Sequence, residues 1–271
     1  MRAGAAGAAG APLRFTPELE RRIAGAPLVV MLDVDGTLAP IAPRPEDAAV
    51  PLETRRAVAA LAAREDVHVA LVSGRAAADA RRLVGVANTW VVGNHGIEVE
   101  SPEGETTVEP QVAGYAGAVA QAARRLTTLL EHVAGVLVEN KRWTLSVHYR
   151  LADPGVLPRL KAVVEEVARE HGLRATTGKM VFELRPPVRV DKGTAVLSLA
   201  LRLGALDERA SLLFAGDDQT DEDAFRLLRA RVPRAVTVHV AGEAPRATAA
   251  EFTVAGPGAL RAVLEWLAER R

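Results

Sequence analysis

The chain has 271 residues, balances 34 Lys+Arg against 34 Asp+Glu, and contains no cysteine. Charge neutrality argues against a dedicated nucleic-acid binder, which usually carries a basic excess to neutralise phosphates. Lack of cysteine removes disulfide frameworks, thiolate metal sites and thiol nucleophiles together, and no apolar run approaches the roughly 20 residues needed to span a bilayer. Of the 34 basic residues only four are lysines, Lys141, Lys161, Lys179 and Lys192.

The first dozen residues, MRAGAAGAAGAP, offer no side chains to pack and are expected to form a disordered start to an N-terminal extension over residues 1–26. They are too weakly apolar for a signal peptide. Arg21-Arg22 and the apolar run after it superficially resemble a twin-arginine signal, but that run ends directly in DVDGT.

From residue 27 buried strands alternate with amphipathic helices. Leu28–Leu32 is a continuous apolar run of the kind that fills a parallel sheet. A helix over Pro51–Arg64, a strand over Val67–Val72, a helix over Ala76–Leu83 and a strand over Thr89–Val92 follow. Then the rhythm changes to a long helix (Gln111–His132), a strand pair (Val136–Glu139 and Thr144–Tyr149), a helix (Pro158–His171) and a second strand pair (Arg174–Thr177 and Met180–Arg185). Past Pro186-Pro187 the alternation resumes with a helix over 192–203, strands at Ser211–Ala215 and Ala235–Val240 around a helix at Asp221–Arg229, a short edge strand at Phe252–Val254 and a closing helix at Gly258–Arg270. The pattern predicts an α/β fold: a doubly wound, Rossmann-like parallel-sheet core over 27–107 and 185–271, with an inserted α+β domain over 108–184.

Ligands of an open parallel sheet bind outside the carboxyl ends of its strands, and there the polar clusters fall. The first strand ends in Asp33-Val34-Asp35-Gly36-Thr37, the second in Ser73-Gly74-Arg75, the third in Gly93-Asn94-His95-Gly96, and the strand after the insertion in Gly216-Asp217-Asp218 with Asp221 behind. Lys192 opens the helix that returns the chain to the sheet. Each piece alone is an ordinary turn; their recurrence at successive strand ends carries the chemistry.

Asp33, Asp35, Asp217, Asp218 and Asp221 converging on one edge would repel without a cation, and hard carboxylate oxygens without His or Cys select Mg²⁺. Alternation points Asp33 and Asp35 the same way with Val34 toward the core. Such a pair can serve as nucleophile and general acid/base, while Ser73 and Lys192 neutralise phosphate oxygens. Gly36 and Gly74 let backbone amides approach an anion.

DVDGT, VSGR, DKG and GDDQTDED, in that order, resemble the haloacid dehalogenase superfamily of aspartate-nucleophile phosphatases, and the insertion resembles its larger cap. Within it, LDVDGTLAPIAPRPEDA, VVGNHGIEVE, VENKRWTLSVHYR, GKMVFELRP and DKGTAV are similar to the trehalose-6-phosphate phosphatase family. The resemblance implies Asp33 as nucleophile through an aspartyl-phosphate and Asp35 as acid, then base. It implies Mg²⁺ held by the Asp33 carboxylate, the Asp35 carbonyl and the Asp217 carboxylate, with Asp218 and Asp221 completing or orienting the shell. Thr37, Ser73 and Lys192 would grip the phosphoryl group.

Glu139, Lys141, Trp143, Leu145 and Val147 share one face if Val138–Tyr149 is a regular strand. The resemblance places Glu139, Lys141, Arg150, Lys179 and Glu183 at a sugar-binding surface of the cap, with Asn94 and His95 on the core side. A near P-loop at Gly172–Met180 fails on spacing and on Met180, the six histidines give no zinc pattern, and Ser73 lacks the GxSxG context of a hydrolase nucleophile. His148 beside Tyr149 is read as a packed or hydrogen-bonded strand histidine in preference to a general base. The expected protein is a cytoplasmic monomer acting on trehalose 6-phosphate, with no nucleic-acid or membrane partner. Rival readings are a capped phosphatase for sucrose 6-phosphate or a glycosylated glycerate phosphate, and a non-catalytic sugar-phosphate sensor; the intact Asp33, Asp35, Lys192 and Asp217 set argues against the sensor.

Overall fold

A computed structural model describes residues 10–242 and 246–270; the disorder expected of residues 1–9 lies outside them. The described chain divides into two compact units, one containing the residues up to Ile41, Ala48–Thr106 and those from Val190 on, the other Ala42–Asp47 and Thr107–Arg189.

The first unit begins with β1 (Ala11–Pro12), α1 (Pro17–Ile23), β2 (Leu28–Asp33), α2 (Leu52–Ala62), β3 (Val67–Val72), α3 (Ala77–Val84), β4 (Thr89–Gly93) and β5 (Glu98–Glu100), and β6 (Thr106–Val108) falls at the boundary. The second contributes α4 (Ala116–Leu130), β7 (Leu137–Asn140), β8 (Leu145–His148), α5 (Leu157–Glu170), β9 (Arg174–Gly178) and β10 (Val181–Arg185). The first unit then resumes with α6 (Lys192–Arg202), β11 (Ser211–Gly216), α7 (Gln219–Arg231), β12 (Val236–Val240), β13 (Phe252–Val254) and α8 (Pro257–Glu269).

Among the described residues the larger sheet has the order β1-β13-β12-β11-β2-β3-β4-β5-β6. It is parallel from β1 to β4 and turns antiparallel at β5. All six residues of β2 are buried, as a strand covered on both faces requires. Leu28, Val30 and Leu32 pack with Leu19 and Ile23 of α1, Val58 and Leu61 of α2, Val84 of α3 and Leu264 of α8. Val29 and Met31 pack the other way, with Val196 and Leu199 of α6 and Phe225 and Leu228 of α7. Each such aliphatic side chain stabilises the fold by roughly 1.5–3 kcal/mol when fully buried. The same alternation turns Asp33 toward α6 and α7. Strand order reverses direction between β2 and β11, so the crevice of this doubly wound sheet opens where Asp33 and Asp217 emerge.

Two expectations for the termini are corrected. β13 is not an edge strand: β1 pairs alongside it, Ala11 opposite Phe252 and Pro12 opposite Thr253, with Ala11 N–H donating to Glu251 O and Leu13 N–H to Thr253 O at 3.0 Å each. Residues 11–12, read from composition as part of a disordered start, are therefore structured, because the backbone pairs without help from side chains. Helix α1, which the periodicity missed, is capped by the Thr16 hydroxyl accepting from Leu19 N–H.

The second unit is an antiparallel sheet of order β7-β8-β10-β9. Leu145, Val147, Phe182 and Leu184 pack on Val119 and Leu126 of α4 and on Leu160 and Val164 of α5. Glu139 and Glu183 both pair with Ser146, so these three side chains lie on the opposite face, in one row across three strands. This corrects the expected common face for Glu139, Lys141, Trp143, Leu145 and Val147. Residues 138–149 form a hairpin, not one strand. It turns at Lys141–Thr144, with Arg142 at φ +71° and its N–H donating to Asn140 Oδ1 at 2.9 Å. Past that turn Leu145 and Val147 enter the core.

Candidate active site

β2 ends at Asp33, and the chain turns tightly behind it: Leu38 and Ala39 N–H donate to Val34 O, and Gly36 N–H donates to Ala39 O. Val34 is in the core as expected. The two carboxylates have different partners. Asp33 Oδ1 accepts from Lys192 Nζ at 2.6 Å, whereas both Asp35 oxygens accept from Arg75, at 2.6 and 2.7 Å. Gly36 has φ +90°, and a Cβ there would lie 2.2 Å from Asp217 Oδ2; only a bare backbone fits beside that carboxylate.

Lys192 occupies the first position of α6, behind an Asp191–Thr194 capping box. An ammonium at a helix N-terminus opposes the helix dipole and a buried one loses its hydration, so its partners must hold it. It is 2% exposed, and Asp221 Oδ1 accepts a second hydrogen bond from it at 2.9 Å. Burial alone would lower its pKa; the charges of Asp218, Asp221 and Asp33 outweigh this and raise it well above the ordinary lysine value. Asp221 Oδ2 also accepts from the Asp217 and Asp218 N–H groups at 3.0 and 2.9 Å. Asp218 caps α7, accepting from Thr220 and Asp221 N–H. Burial works against its ionisation, but Lys192 and the bonds from Thr220 and Asp221 hold it well below the usual carboxylate range.

Asp33, Asp217 and Asp221 each offer a carboxylate oxygen, all within 4.8 Å of one another. Burial pushes the Asp33 carboxyl up to about 7 against the lowering charge of Lys192, with Asp217 and Asp218 adding to the rise. Its Oδ2 is buried without a hydrogen-bond partner. Three clustered carboxylates against one ammonium leave uncompensated buried negative charge, and an all-oxygen donor set of this kind fits a hard divalent cation.

The neighbouring strand ends complete this edge. Ser73 is buried; its N–H donates to Val92 O, its carbonyl accepts from His95 N–H, and its hydroxyl accepts from Arg75 N–H at 3.1 Å. Thr37 is fully buried with no hydrogen-bond partner for its hydroxyl. Asn94 and His95 adopt φ +49° and +56°, held by Asn94 Nδ2 donating to Glu98 Oε1 at 2.8 Å, and a Cβ on Gly74 would lie 2.4 Å from the His95 ring.

In the second unit, Lys141 Nζ lies 3.6 Å from Glu183 Oε1, both nearly buried. His148 Nε2 is 2.8 Å from Glu139 Oε2, so this histidine belongs to the polar row. Arg150 donates to the carbonyl of Lys179 at 3.3 Å, exposed at the β9–β10 turn. Glu139, Lys141 and Glu183 thus accompany Ser146, whose buried hydroxyl has no hydrogen-bond partner, while Arg150 and Lys179 accompany each other.

Sequence reasoning placed Arg75 at the end of the second strand but gave it no role, although it stands in the VSGR segment two residues after Ser73. It also passed over Glu98, which accepts from Ala77 N–H and Asn94, and Ser146. Arg246, which donates to Asp217 O and Asp218 O, lies in a segment with no recognisable pattern.

A doubly wound parallel sheet with a buried aspartate at the end of its central strand, a lysine opening the returning helix, and an inserted α+β unit is the architecture of the capped haloacid dehalogenase-fold phosphatases. The family model for trehalose-phosphatase matches residues 31–257, and the chain belongs to that family. It is 37% identical over 251 residues to a trehalose-phosphate phosphatase of Mycobacterium avium, covering 92% of this chain and 64% of that protein. Over 220 residues it is 39% identical to an uncharacterized glycosyl hydrolase of Mycobacterium tuberculosis, covering 80% of this chain and 16% of that protein. The chain therefore spans less than two thirds of the length of these relatives. Among solved structures, a trehalose-6-phosphate phosphatase related protein superposes with a TM-score of 0.77 at 28% identity, covering 89% of this chain and 96% of that one.

Proposed function

We propose that this chain is a Mg²⁺-dependent phosphomonoesterase that hydrolyses trehalose 6-phosphate to trehalose and inorganic phosphate through an aspartyl-phosphate. The observation that carries the reading is Asp33: Oδ1 anchored by Lys192 and Oδ2 buried without a hydrogen bond, at the end of the central strand of a trehalose-phosphatase family member.

Asp33 attacks phosphorus, so that a P–O bond to its carboxylate forms as the bond to the sugar oxygen breaks. Asp35 delivers a proton to that departing oxygen, then takes one from the water that displaces Asp33. Lys192, Ser73 and Thr37, with the backbone at Gly36 and Gly74, receive the negative phosphoryl oxygens. Asp33, Asp217 and Asp221 would hold Mg²⁺ with the Asp35 carbonyl, and Asp218 would keep the turn in place; the ion supplies positive charge to offset the phosphoryl group. Residues 108–184 serve as the cap, in which Glu139, Lys141, Lys179, Glu183 and Arg150 recognise sugar hydroxyls, with Asn94 and His95 contributing from the core. The working form is a cytoplasmic monomer with a small-molecule substrate. Among the described residues no helix is long and apolar enough to cross a membrane.

Phosphate release should be followed on trehalose 6-phosphate, sucrose 6-phosphate, glucose 6-phosphate and a glycosylated glycerate phosphate, with and without Mg²⁺. The reading requires trehalose 6-phosphate to be the best substrate and release to depend on Mg²⁺. Preference for another ester would move the substrate assignment, and no release from any of them would leave a sugar-phosphate sensor.

A further inference from the structure

Among the described residues Glu222 is the most deeply buried carboxylate outside the acidic cluster, 2% exposed, and nothing in the proposed reaction uses it. One position beyond Asp221 on α7, it faces away from Lys192 toward the segment after β12. Its Oε1 accepts from Thr248 Oγ1 at 2.7 Å and Arg246 Nη2 at 3.3 Å, and its Oε2 from Ala249 N–H at 2.7 Å. A buried carboxylate with a purely packing role would be better replaced by an apolar side chain, so its use lies in what it holds. That is Arg246, whose Nη1 donates to Asp217 O at 3.1 Å and whose Nη2 donates to Asp218 O at 2.9 Å.

The Asp217–Asp218 turn is therefore gripped from two sides. Its two N–H groups donate to Asp221 Oδ2, and its two carbonyls accept from one guanidinium. Four backbone groups of two consecutive residues are thus fixed by side chains, the two N–H groups locally by Asp221 and the two carbonyls by Arg246, more than twenty-five residues on. A planar fork reaches two successive carbonyls from two nitrogens while keeping a third bond to Glu222, where a single ammonium would have to reach all three from one atom. The Asp217 carboxylate then leaves this turn in one direction, into the acidic cluster.

We infer that Arg246, oriented by Glu222, is a positioning residue that holds the Asp217–Asp218 turn in the conformation required for metal binding. The inference rests on reading Asp33, Asp217 and Asp221 as a divalent-metal site. Groups that orient ligands from outside the site typically change metal affinity about 10–100-fold when removed.

The test uses the full chain without substrate, with Mn²⁺ as the probe and binding followed by electron paramagnetic resonance. Wild type should bind one Mn²⁺ that Asp217→Asn abolishes. Arg246→Ala should weaken that binding about tenfold or more, Glu222→Gln several-fold, and Arg246→Lys should recover only part of the loss, each compared in variants that are folded at the assay temperature. If Arg246→Ala does not fold, Arg246→Lys decides, because it keeps the charge and loses the fork. Unchanged Mn²⁺ affinity in the folded Arg246 variants would overturn the positioning role and leave the metal site standing. Absence of Asp217-dependent Mn²⁺ binding in wild type would overturn the metal-site reading and this inference with it.

Discussion

Arg75 grips the Asp35 carboxylate through both oxygens, Nε to Oδ2 at 2.6 Å and Nη2 to Oδ1 at 2.7 Å. A bidentate guanidinium–carboxylate pair fixes position as well as charge, so the proposed proton-transfer group has one rotamer. The pair is partly exposed, 16% at Arg75 and 34% at Asp35, and pairs of that kind contribute at most about 1 kcal/mol to stability. Arg75→Ala should therefore leave the melting temperature nearly unchanged while lowering kcat by about 10–100-fold, the cost of a misplaced general acid/base. Arg75→Lys, which keeps the charge without the fork, should recover a minor share. Equal kcat in wild type and Arg75→Ala would show that Asp35 needs no such support.

Metal should stabilise as well as activate. Asp33, Asp217 and Asp221 crowd one another, with Lys192 paired to Asp33 and Asp221, and a cation binding only the folded chain adds about 2.7 kcal/mol at 100 times its dissociation constant. For a chain of this size that corresponds to a rise of about 5–10 °C in melting temperature. Calorimetry or fluorescence melts in chelator and then in excess Mg²⁺ should show the rise in wild type and not in Asp217→Asn. In chelator the variant should melt no lower than wild type, because it has lost one of the repelling carboxylates. An equal Mg²⁺ response in both proteins would place the ion elsewhere.

Gly36 shows how closely backbone and carboxylate approach in this site. At φ +90° any L side chain is strained, and a Cβ would lie 2.2 Å from Asp217 Oδ2. Gly36→Ala should cost about 1–2 kcal/mol from the left-handed backbone. The larger effect should be on turnover, since displacing a catalytic group by about 1 Å can cost about 100-fold. Phosphate release together with a urea melt separates the two effects. Near-normal turnover would mean that Asp217 can move aside without consequence.

The core strands were legible because a strand buried on both faces is almost wholly apolar: Leu28–Leu32 is a continuous apolar run, and Val67–Val72 is broken only by the half-buried His68. Asp33, Lys192, Asp217 and Asp221 were legible because parallel topology delivers strand ends to one edge. Glu222 stood inside a recognised segment, but its partners Arg246 and Thr248 lie more than twenty residues on, in a loop without periodicity. Register across the β7–β8 hairpin was misread because Glu139, Lys141, Trp143, Leu145 and Val147 keep period two through a turn that reverses the chain. Pairing of β1 with β13 left no trace in Ala/Gly composition, since main-chain hydrogen bonds need no particular side chain.

His239 ties stability to pH on the flank of this site. It lies in the buried strand β12 opposite Gly216, and burial, with the charge of Arg246 adding to it and Glu222 opposing, lowers its pKa from the ordinary value. The folded protein therefore keeps the imidazole neutral at pH values where the unfolded chain, with an ordinary histidine pKa of about 6.5, already binds a proton. Because the unfolded state holds more protons in that window, stability rises with pH. The contribution is complete above about pH 6.5 and is lost as the pH falls below it. Melting temperatures at pH 7.5, 6.5, 5.5 and 5.0 should fall more steeply for wild type than for His239→Gln, which cannot take up the proton. Parallel curves over this range would show that His239 titrates alike in both states.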